Sequence, residues 1–357
     1  MRILEAMRSD DFEEVVLLQD RRCGLRAILA IHDTSSGPAF GGVRRWRYPR
    51  EEHALRDVLR LARAMTLKCA LAGIPGGGGK VVILDQDDLR AEEAYELLGR
   101  HVQQLGGRFY TGPDVGTGHR ELSVLARSTE YVTRPDEAGP GDLASATAAG
   151  VIAGMRAALE ELFGTSSARG LRFAIQGVGE VGAKIARLLV AEGAEISVAD
   201  LDEGAIERLL AVQPEVEVLP PERLLDASVD VFCPCAMGGV IHDLSLGRLR
   251  ARLVAGSANN ILALPRHGEE LHRRGIVYLP DYVLNAGALI LGSAFHLRGV
   301  REVGAEIERI GETIRWILRT AREEGESPMS VADREAERRI AEARAKGRPF
   351  FPKQSTR

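Results

Sequence analysis

One stretch in the second half of the chain constrains its fold more than any other. The apolar run Leu171–Gln176 leads into Gly177-Val-Gly-Glu-Val-Gly182, and a helical pattern follows directly. A second apolar run then ends in Asp200, 18 residues after Gly182. A GxGxxG pattern by itself is a weak signal, but the strand, the helix and the following acid make it a strong one. The sequence therefore predicts a βαβ unit of a doubly wound parallel sheet.

The three glycines of this turn have different physical roles. Gly177 permits the turn, Gly179 lets the backbone approach a pyrophosphate at the positive end of the helix, and Gly182 permits close packing of the helix on the strand. Asp200 can accept a hydrogen bond from a ribose 2′-hydroxyl, and its charge would repel a 2′-phosphate. We therefore predict a Rossmann domain that binds NAD rather than NADP.

Further strands continue the same winding. Residues 229–232, 253–255 and 276–279 are apolar runs, and each ends near small or polar residues. Because such folds bind ligands at the carboxyl ends of their parallel strands, these ends hold candidate cofactor contacts. Asparagine can donate and accept there, although turn formation is an equal alternative for each one. The candidates at these ends are Ala236, Asn259, Asn260 and Asn285.

A run of glycine and proline, Ile74–Gly79, separates Lys68 from Lys80 in the first half of the chain. Lys68 closes a helical pattern that begins at Glu51, and Lys80 opens the apolar run 81–84. Because glycine loses much backbone entropy on folding, such a run is typical of a sharp turn or of a close approach by another group. We predict a loop that holds two ammonium groups over a small anionic substrate.

The same stretch does not match a phosphate-binding loop, since Ile74 stands where a glycine is required and Val81 stands where Ser or Thr is required. Lys68 has an alternative role at its helix end, where it would offset the helix dipole and reach solvent. Its position beside the glycine run favours the functional role. Asp114 follows a short apolar run, and it either bonds the local backbone or presents a carboxylate to the lysines. The sequence leaves both roles of Asp114 open.

Local patterns predict several other elements. Residues 13–18 and 25–32 are apolar runs separated by a turn-like break, which is typical of a strand pair. Apolar residues at helical spacing predict helices over 146–162, 306–322 and 332–346.

Residues 134–143 are the best candidate for a linker, because two prolines, two glycines and three acids fall within ten residues. We therefore predict an α/β protein of two domains with a cleft between them. Residues 1–134 form a mixed-sheet α/β domain for substrate binding and oligomerisation, and a helix within about 330–357 packs back on it. Residues 135–329 form the Rossmann domain for NAD. Residues 352–357 are expected to fray.

Composition excludes several classes of function. The net charge of −4 gives no reason to expect nucleic acid or an anionic membrane as a partner. No apolar run reaches the length of about 18 residues that spans a bilayer, and the first residues lack a secretory signal, which favours the cytoplasm. Four cysteines do not make a disulfide framework in 357 residues. Cys233-Pro-Cys235 lacks the spacing of a zinc site, so we predict reduced cysteines and no metal.

The remaining motifs are interpreted together. In order along the chain they are Gly37-Pro-Ala-Phe-Gly-Gly42, Met65-Thr-Leu-Lys68, Gly77-Gly-Gly-Lys80, Pro113-Asp-Val-Gly-Thr117, Gln176-Gly-Val-Gly-Glu-Val-Gly182, Ala255-Gly-Ser-Ala-Asn-Asn260 and Pro280-Asp-Tyr-Val-Leu-Asn-Ala-Gly287. This set resembles the glutamate/leucine/phenylalanine/valine dehydrogenase family, and its leucine and phenylalanine branch more than glutamate dehydrogenase. The resemblance covers nearly the whole chain.

The resemblance implies NAD-dependent oxidative deamination of an L-amino acid to a 2-oxo acid and ammonia by a homo-oligomer. It implies that Lys68 binds the substrate carboxylate and that Lys80 is the general base for water attack on the iminium intermediate. It also implies that Asp114 assists proton transfer and orients the amine. The residues implied at the substrate site are Phe40, Gly41, Gly42, Met65, Gly112, Leu289 and Gly292, and the further cofactor contacts implied are Thr147 and Val181.

The chain departs from the family pattern in two places. Asp142-Leu-Ala-Ser-Ala146 stands where relatives carry an Asn-Pro-Ser-Pro-like segment, and Ala288-Leu-Ile-Leu291 stands where they usually read Gly-Val-Ile-Asn. Gly112 and Leu289 resemble the phenylalanine-preferring members, whereas Phe40 replaces a smaller leucine. We interpret this as a pocket for a bulky apolar side chain, leucine-like or phenylalanine-like. Glutamate is disfavoured, because no extra basic residue is evident for its side chain.

Two other hypotheses remain at this point. The departures from the family pattern are compatible with a catalytically silent NAD-binding regulatory protein. A 2-hydroxy-acid dehydrogenase is a third hypothesis, but it needs a histidine–carboxylate acid/base pair, and no histidine lies in a motif of that kind.

Overall fold

The structure, a computed structural model, describes residues 3–134, 136–347 and 350, and it places the apolar runs in two separate sheets. The chain divides accordingly into two units. Unit 1 takes residues up to Gly141, residues 292–301 and residues from Ala336 onward. Unit 2 takes Asp142–Leu291 and Glu302–Glu335. The predicted fraying of residues 352–357 lies outside the described residues.

Unit 1 begins with ten elements that alternate between strands and helices. They are α1 (Ile3–Ser9), β1 (Glu14–Asp20), β2 (Leu25–Asp33), β3 (Ala39–Phe40), β4 (Val43–Trp46), α2 (Glu51–Leu71), β5 (Gly77–Leu84), α3 (Ala91–Gln104), β6 (Phe109–Tyr110) and α4 (His119–Leu125).

The sheet of unit 1 is mixed, as the sequence predicts. Its strand order is β1-β2-β5-β3-β6, and β4 also pairs with β5. The predicted strand pair is present as β1 and β2, which run antiparallel. β5 runs antiparallel to β2 and parallel to both β3 and β4, so it is the strand around which the sheet is arranged. Helix α2 begins at Glu51. The negative charges of Glu51 and Glu52 in its first turn interact favourably with the positive end of the helix dipole.

The prediction of a loop over the glycine run is wrong for three of its residues. Gly77, Gly78 and Gly79 form the first half of β5, and every residue of that strand is buried. A Cβ on Gly77 would lie 1.7 Å from the Asp33 carbonyl oxygen, and one on Gly78 would lie 2.2 Å from the Thr66 amide nitrogen. The glycines are therefore required by close packing from both sides, and the loop is confined to the residues before Gly77.

Unit 2 and the segments around it contain the later elements. They are α5 (Leu143–Phe163), β7 (Arg172–Gln176), α6 (Glu180–Ala191), β8 (Glu195–Ala199), α7 (Glu203–Leu210), β9 (Glu217–Val218), α8 (Pro221–Leu224), β10 (Val231–Pro234), α9 (Asp243–Leu246), β11 (Leu253–Val254), α10 (Arg266–Arg273), β12 (Val277–Tyr278), α11 (Asp281–Leu284), α12 (Gly287–Arg298), α13 (Gly304–Glu324) and α14 (Pro328–Lys346).

The sheet of unit 2 is parallel throughout, in the order β12-β11-β10-β7-β8-β9. This is the doubly wound arrangement that the glycine motif predicts, and the Rossmann fold is confirmed. The order reverses at β7, whose neighbours are β8 and β10. Ligands bind at such a reversal in folds of this class.

Helix α5 shows how the chain organises the segment where the family's prolines are missing. Asp142 is its N-cap, and Asp142 Oδ1 accepts a hydrogen bond of 2.8 Å from the Ser145 amide. Asp142 Oδ2 also forms an ion pair of 2.9 Å with Lys184 Nζ on α6. An N-cap of this kind stabilises a helix by about 1 kcal/mol. A cap and an ion pair therefore hold this helix start without proline.

Helix α14 crosses the division between the units, because its residues from Ala336 onward belong to unit 1. Its end contacts the sheet of that unit, where Arg344 Nε donates a 2.6 Å hydrogen bond to the buried carboxylate of Asp33. Arg339 Nη1 also donates to the Ala70 carbonyl at the end of α2, at 3.1 Å. These contacts attach a late segment of the chain to its first sheet.

Candidate active site

Lys80 and Asp114 form a buried ion pair in unit 1. Lys80 lies in the middle of β5 and is 6% exposed. Asp114 lies in the turn after β6, where its backbone oxygen accepts from the Thr117 amide at 2.9 Å and its Oδ1 accepts from the Val115 amide at 2.6 Å. Both roles that the sequence left open for Asp114 are therefore present, the local backbone bond and the contact with a lysine.

A second cation contacts the same carboxylate. Arg44 on β4 lies between two acids, with Nη2 at 3.1 Å from Asp114 Oδ1 and Nη1 at 3.0 Å from Asp57 Oδ2. Tyr48 donates its hydroxyl to Asp57 Oδ2 at 2.6 Å. Burial alone would raise the pKa of Asp114, but the charges of Lys80 and Arg44 outweigh it and hold that pKa well below its usual range. Asp114 is therefore ionised near pH 7.

Glycines bring the backbone close to this pair. Gly41 and Gly42 separate β3 from β4, opposite the point where Lys80 stands on β5. A Cβ on Gly41 would lie 1.8 Å from the Gly79 carbonyl oxygen, and one on Gly42 would lie 2.3 Å from the Pro113 carbonyl oxygen. The structure therefore brings together four residues that the sequence predicts, Gly41, Gly42, Lys80 and Asp114.

The predicted residues of α2 are less enclosed. Lys68 lies in the last turn of the helix, and both Lys68 and Met65 are half-buried. The predicted position of Lys68 on a helix is confirmed, whereas its role toward the substrate stays a prediction.

A third group of predicted residues surrounds Thr133. A Cβ on Gly112 would lie 3.3 Å from Thr133 Cβ, and one on Gly292 would lie 3.2 Å from Thr133 Cγ2. The Thr133 hydroxyl also forms a 2.9 Å hydrogen bond with Nε2 of His296. Thr133 therefore occupies the space that a side chain on either glycine would need.

Aromatic rings border this group. Phe40 is buried and stacks on Tyr110, with ring centroids 5.3 Å apart, and Tyr110 lies 4.7 Å from the ring of His296. Burial lowers the pKa of His296 to about 4, so its ring is neutral near pH 7. Leu289 precedes Gly292 by less than one turn of α12 and is half-buried, but it belongs to unit 2.

The glycine turn of unit 2 has the geometry that a dinucleotide requires. Gly177 has a φ of +94°, which side chains rarely adopt, and a Cβ on it would lie 2.6 Å from the Cβ of Ala236. Gly182 packs on the turn, since its Cβ would lie 2.0 Å from the Gly177 carbonyl oxygen. Gly179 is the N-cap of α6, and a Cβ on it would meet nothing within 4 Å. Open space therefore faces the positive end of a helix, where a pyrophosphate binds well.

Asp200 lies at the end of β8 and is half-buried. Its Oδ2 accepts from the Val178 amide at 2.6 Å, and its Oδ1 accepts from the Asp202 amide at 3.0 Å. These bonds hold the carboxylate beside the glycine turn. Val181 lies in the first turn of α6 and is half-buried.

Among the other predicted cofactor residues of unit 2, Asn259 and Asn285 contact each other. Asn285 is buried, and its Nδ2 donates to Asn259 Oδ1 at 2.7 Å. Thr147 is buried in α5, and a Cβ on Gly287 would lie 3.0 Å from its Cα. The hydroxyl of Thr147 donates to the Leu143 carbonyl at 2.9 Å. Ala236 is exposed beside Gly177.

Sequence reasoning missed Arg44, Tyr48 and Asp57, whose contacts organise the environment of Asp114. Arg44 lies two residues after Gly42, within a short extended run beside the glycines, and this position was a usable signal. Nothing comparable identifies Asp57, which lies on a helix among other charged residues.

The described residues contain neither a cluster of metal-ligating side chains nor a helix that could span a membrane. No group of three or more His, Cys, Asp or Glu side chains in the described ranges is arranged to hold a metal ion. No helix in the part of the chain that the structure covers combines the length and apolar character needed to cross a membrane.

Comparison with known proteins identifies matching family models and similar proteins. Residues 13–131 match the family model "Glu/Leu/Phe/Val dehydrogenase, dimerisation domain", and residues 201–344 match "Glutamate/Leucine/Phenylalanine/Valine dehydrogenase". The leucine dehydrogenase of Geobacillus stearothermophilus is 41% identical over 356 residues, covering 98% of this chain and 96% of that protein. The phenylalanine dehydrogenase of Bacillus thermotolerans is 40% identical over 353 residues, covering 96% and 92%.

A solved structure agrees with these relatives. The L-tryptophan dehydrogenase of Nostoc punctiforme superposes with a TM-score of 0.83 at 35% identity, covering 96% of this chain and all of that one. Its similarity extends over both units. The chain therefore belongs to the glutamate/leucine/phenylalanine/valine dehydrogenase family, whose members are oxidoreductases that act on the CH–NH2 group of amino acids.

Proposed function

We propose that this protein catalyses the reversible, NAD-dependent oxidative deamination of a bulky apolar L-amino acid to its 2-oxo acid and ammonia. The observation that carries the proposal is the buried ion pair between Lys80 and Asp114 beside Gly41 and Gly42. Buried ionisable groups with shifted pKa values, such as Asp114, cluster at functional sites. The alternative of a catalytically silent protein has no support among the relatives, which are named as dehydrogenases.

The proposed mechanism assigns one task to each residue. The ammonium of Lys68 binds the substrate carboxylate, and the backbone at Gly41 and Gly42 leaves room beside Lys80 for the reacting carbon. Lys80 acts as the neutral amine: its ammonium first loses a proton to solvent, and the amine then takes a proton from the water that attacks the Cα of the iminium, after which ammonia leaves. Asp114 stays ionised through the cycle, so it can hold Lys80 and accept a hydrogen bond from the substrate amine.

The cofactor proposed for unit 2 is NAD. When bound, it would accept the hydride from the substrate Cα. The open face at Gly179 and the positive end of α6 fit its pyrophosphate. Asp200, followed by the acidic Asp202 and Glu203, would accept from a ribose hydroxyl and repel a 2′-phosphate. These charges support NAD rather than NADP.

The substrate class follows from the residues around Thr133. A side chain on Gly112 or Gly292 would press against Thr133, so glycine keeps this region from being overfilled, and Phe40 and Tyr110 supply apolar surface next to it. The relatives act on leucine, phenylalanine and tryptophan. One methylene in such a pocket changes discrimination by about 1–3 kcal/mol, so both aliphatic and aromatic side chains belong to the proposal.

We also propose a division of labour between the domains. Residues 1–134, with the returning helix α14, would bind substrate and mediate self-association, and residues 135–329 would bind NAD. The match of residues 13–131 to a dimerisation domain supports a homo-oligomer.

The decisive test is an NADH-absorbance screen of all proteinogenic L-amino acids at alkaline pH, with NADP as the alternative cofactor. We expect turnover of bulky apolar substrates with NAD. Lys80→Ala should lower kcat by about 10²–10⁴-fold, the usual contribution of a general acid or base, while NADH binding persists.

Lys346→Ala is the matched control, because Lys346 is exposed at the end of α14. It should retain full turnover. The proposal fails if the panel yields no NADH, or if wild type and Lys80→Ala turn over at the same rate.

A further inference from the structure

The described cysteines include one close pair. Cys233 at the end of β10 and Cys235, which follows Pro234, place their Sγ atoms 3.5 Å apart. Cys233 is buried, whereas Cys235 is half-buried and thus partly accessible. Cys23 and Cys69 are buried in unit 1. The proposed reaction uses none of these thiols, so the pair in unit 2 has no assigned role.

The pair lies against the glycine turn of unit 2. The Cys235 amide donates a 2.7 Å hydrogen bond to the Gln176 carbonyl at the end of β7. A Cβ on Gly182 would lie 3.1 Å from the Cys235 Cβ. The next residue, Ala236, packs against Gly177, as described above. Any contraction of the segment 233–236 is therefore transmitted to the turn.

The two thiols differ chemically. Hydrogen bonds from Cys233 and from Ser257 outweigh burial and lower the pKa of Cys235. The contact with Cys235, together with burial, raises the pKa of Cys233. Cys235 therefore has both the lower pKa and the greater access to solvent. Because the thiolate is the nucleophile, Cys235 is the thiol that reacts first with an oxidant. The buried thiol of Cys233 can then attack the oxidised sulfur of Cys235.

We propose that Cys233 and Cys235 are a reversible oxidation site that weakens dinucleotide binding by unit 2. This proposal takes the dinucleotide assignment from the proposed function. The oxidant is hydrogen peroxide. The sulfur of Cys235 attacks the peroxide, the O–O bond breaks, and a sulfenic acid and one water form. Cys233 then attacks that sulfur, the S–S bond forms, and the S–O bond breaks with loss of a second water. Two thiols are oxidised and one hydrogen peroxide is reduced to two waters.

Geometry gives the expected consequence. The sulfurs must close from 3.5 Å to the bonded distance of about 2.05 Å, and a bridge across one intervening residue constrains the backbone tightly. Ala236 and the amide of Cys235 then shift against Gly177 and Gly182, which are packed too closely to absorb the change. The turn that faces the pyrophosphate therefore changes shape.

The test compares full-length protein reduced with dithiothreitol and protein treated with hydrogen peroxide. Mass spectrometry of the peptide that contains both cysteines should show the loss of two hydrogens after oxidation. NADH binding, followed by fluorescence titration, should weaken about tenfold or more, a readily measured change. Dithiothreitol should restore both readouts.

Cys233→Ala is the informative variant, because it keeps Cys235 and removes only the resolving thiol. It should bind NADH when reduced and show no dithiothreitol-reversible loss after peroxide, and Cys69→Ala should behave as wild type. The inference is overturned if peroxide leaves both thiols unbridged, or if the oxidised wild type binds as tightly as the reduced protein. Failure of the reduced wild type to bind NADH would instead overturn the dinucleotide assignment itself.

Discussion

Two glycine-rich segments, one in each unit, use the same residue for opposite purposes. In β5 the glycines are enclosed, and a methyl group on Gly77, Gly78 or Gly79 would overlap atoms of neighbouring elements. In the turn after β7, Gly179 faces open space. The first segment lets protein approach protein, so that Lys80 lies deep in a packed sheet. The second keeps a helix end clear for a ligand. Glycine content alone thus does not distinguish a filled site from an open one.

The largest effect is expected from Gly78→Ala, which adds a methyl group to the enclosed glycine segment of β5. Its Cβ would lie 2.2 Å from the Thr66 amide nitrogen and 2.4 Å from the Ala62 carbonyl oxygen, so α2 would have to move. We expect a loss of about 3 kcal/mol or more in the free energy of unfolding, at the upper end of overpacking effects. Urea denaturation measures it.

Gly118→Ala is the control in the same unit, since its Cβ would meet only the end of the Glu121 side chain at 3.7 Å. A stable Gly78→Ala protein, with unfolding free energy equal to that of the control, would refute the enclosed packing of β5.

A second prediction concerns pH and the enclosed character of unit 1. The pKa of His296 is lowered to about 4 by burial, whereas an unfolded histidine titrates near 6.5. The unfolded state therefore binds the proton first, and the stability contributed by neutral His296 is complete above about pH 6.5 and is lost as the pH falls toward 4. The maximum effect is about 3 kcal/mol.

His296→Leu should reduce the fall in stability between pH 7 and pH 4.5, measured by chemical denaturation at each pH. The exposed His53, changed to Gln, should leave the fall unchanged. Identical pH dependence in wild type and His296→Leu would show that the ring is not held neutral by burial.

The smallest expected effect is in the open segment. Gly179 has an ordinary φ of −64°, so Gly179→Ala should change the free energy of unfolding by no more than about 0.5 kcal/mol. NADH affinity should fall about tenfold, because the new methyl group occupies the space at the helix end. Fluorescence titration provides the measurement, and Gly247→Ala, also in open surroundings, is the control. Unchanged affinity would place the pyrophosphate elsewhere.

The sequence predicted the Rossmann unit well because its signals are local. Gly177, Gly179, Gly182 and Asp200 fall within one βαβ unit, where spacing along the chain determines spacing in the fold. The predicted strands and helices of both units are confirmed for the same reason, since each depends on a periodic run of its own residues.

The errors arose where distant residues decide the structure. Gly77–Gly79 form a strand because Asp33, Thr66 and Phe109 approach from other elements, and no local pattern records those neighbours. Arg44 was missed because its two carboxylate partners, Asp57 and Asp114, are separated from it by 13 and 70 residues. The substrate and cofactor roles of the predicted residues stay predictions.

The path of the chain has a consequence for its synthesis. Most of unit 2 is one continuous segment, Asp142–Leu291, whereas unit 1 needs residues from both sides of that segment. On a ribosome, the strands of the first sheet emerge early. The hydrogen bond between Asp33 and Arg344 can form only later, because Arg344 follows all of unit 2 in the chain. The parallel sheet of unit 2 can therefore be completed while unit 1 still lacks its last segment.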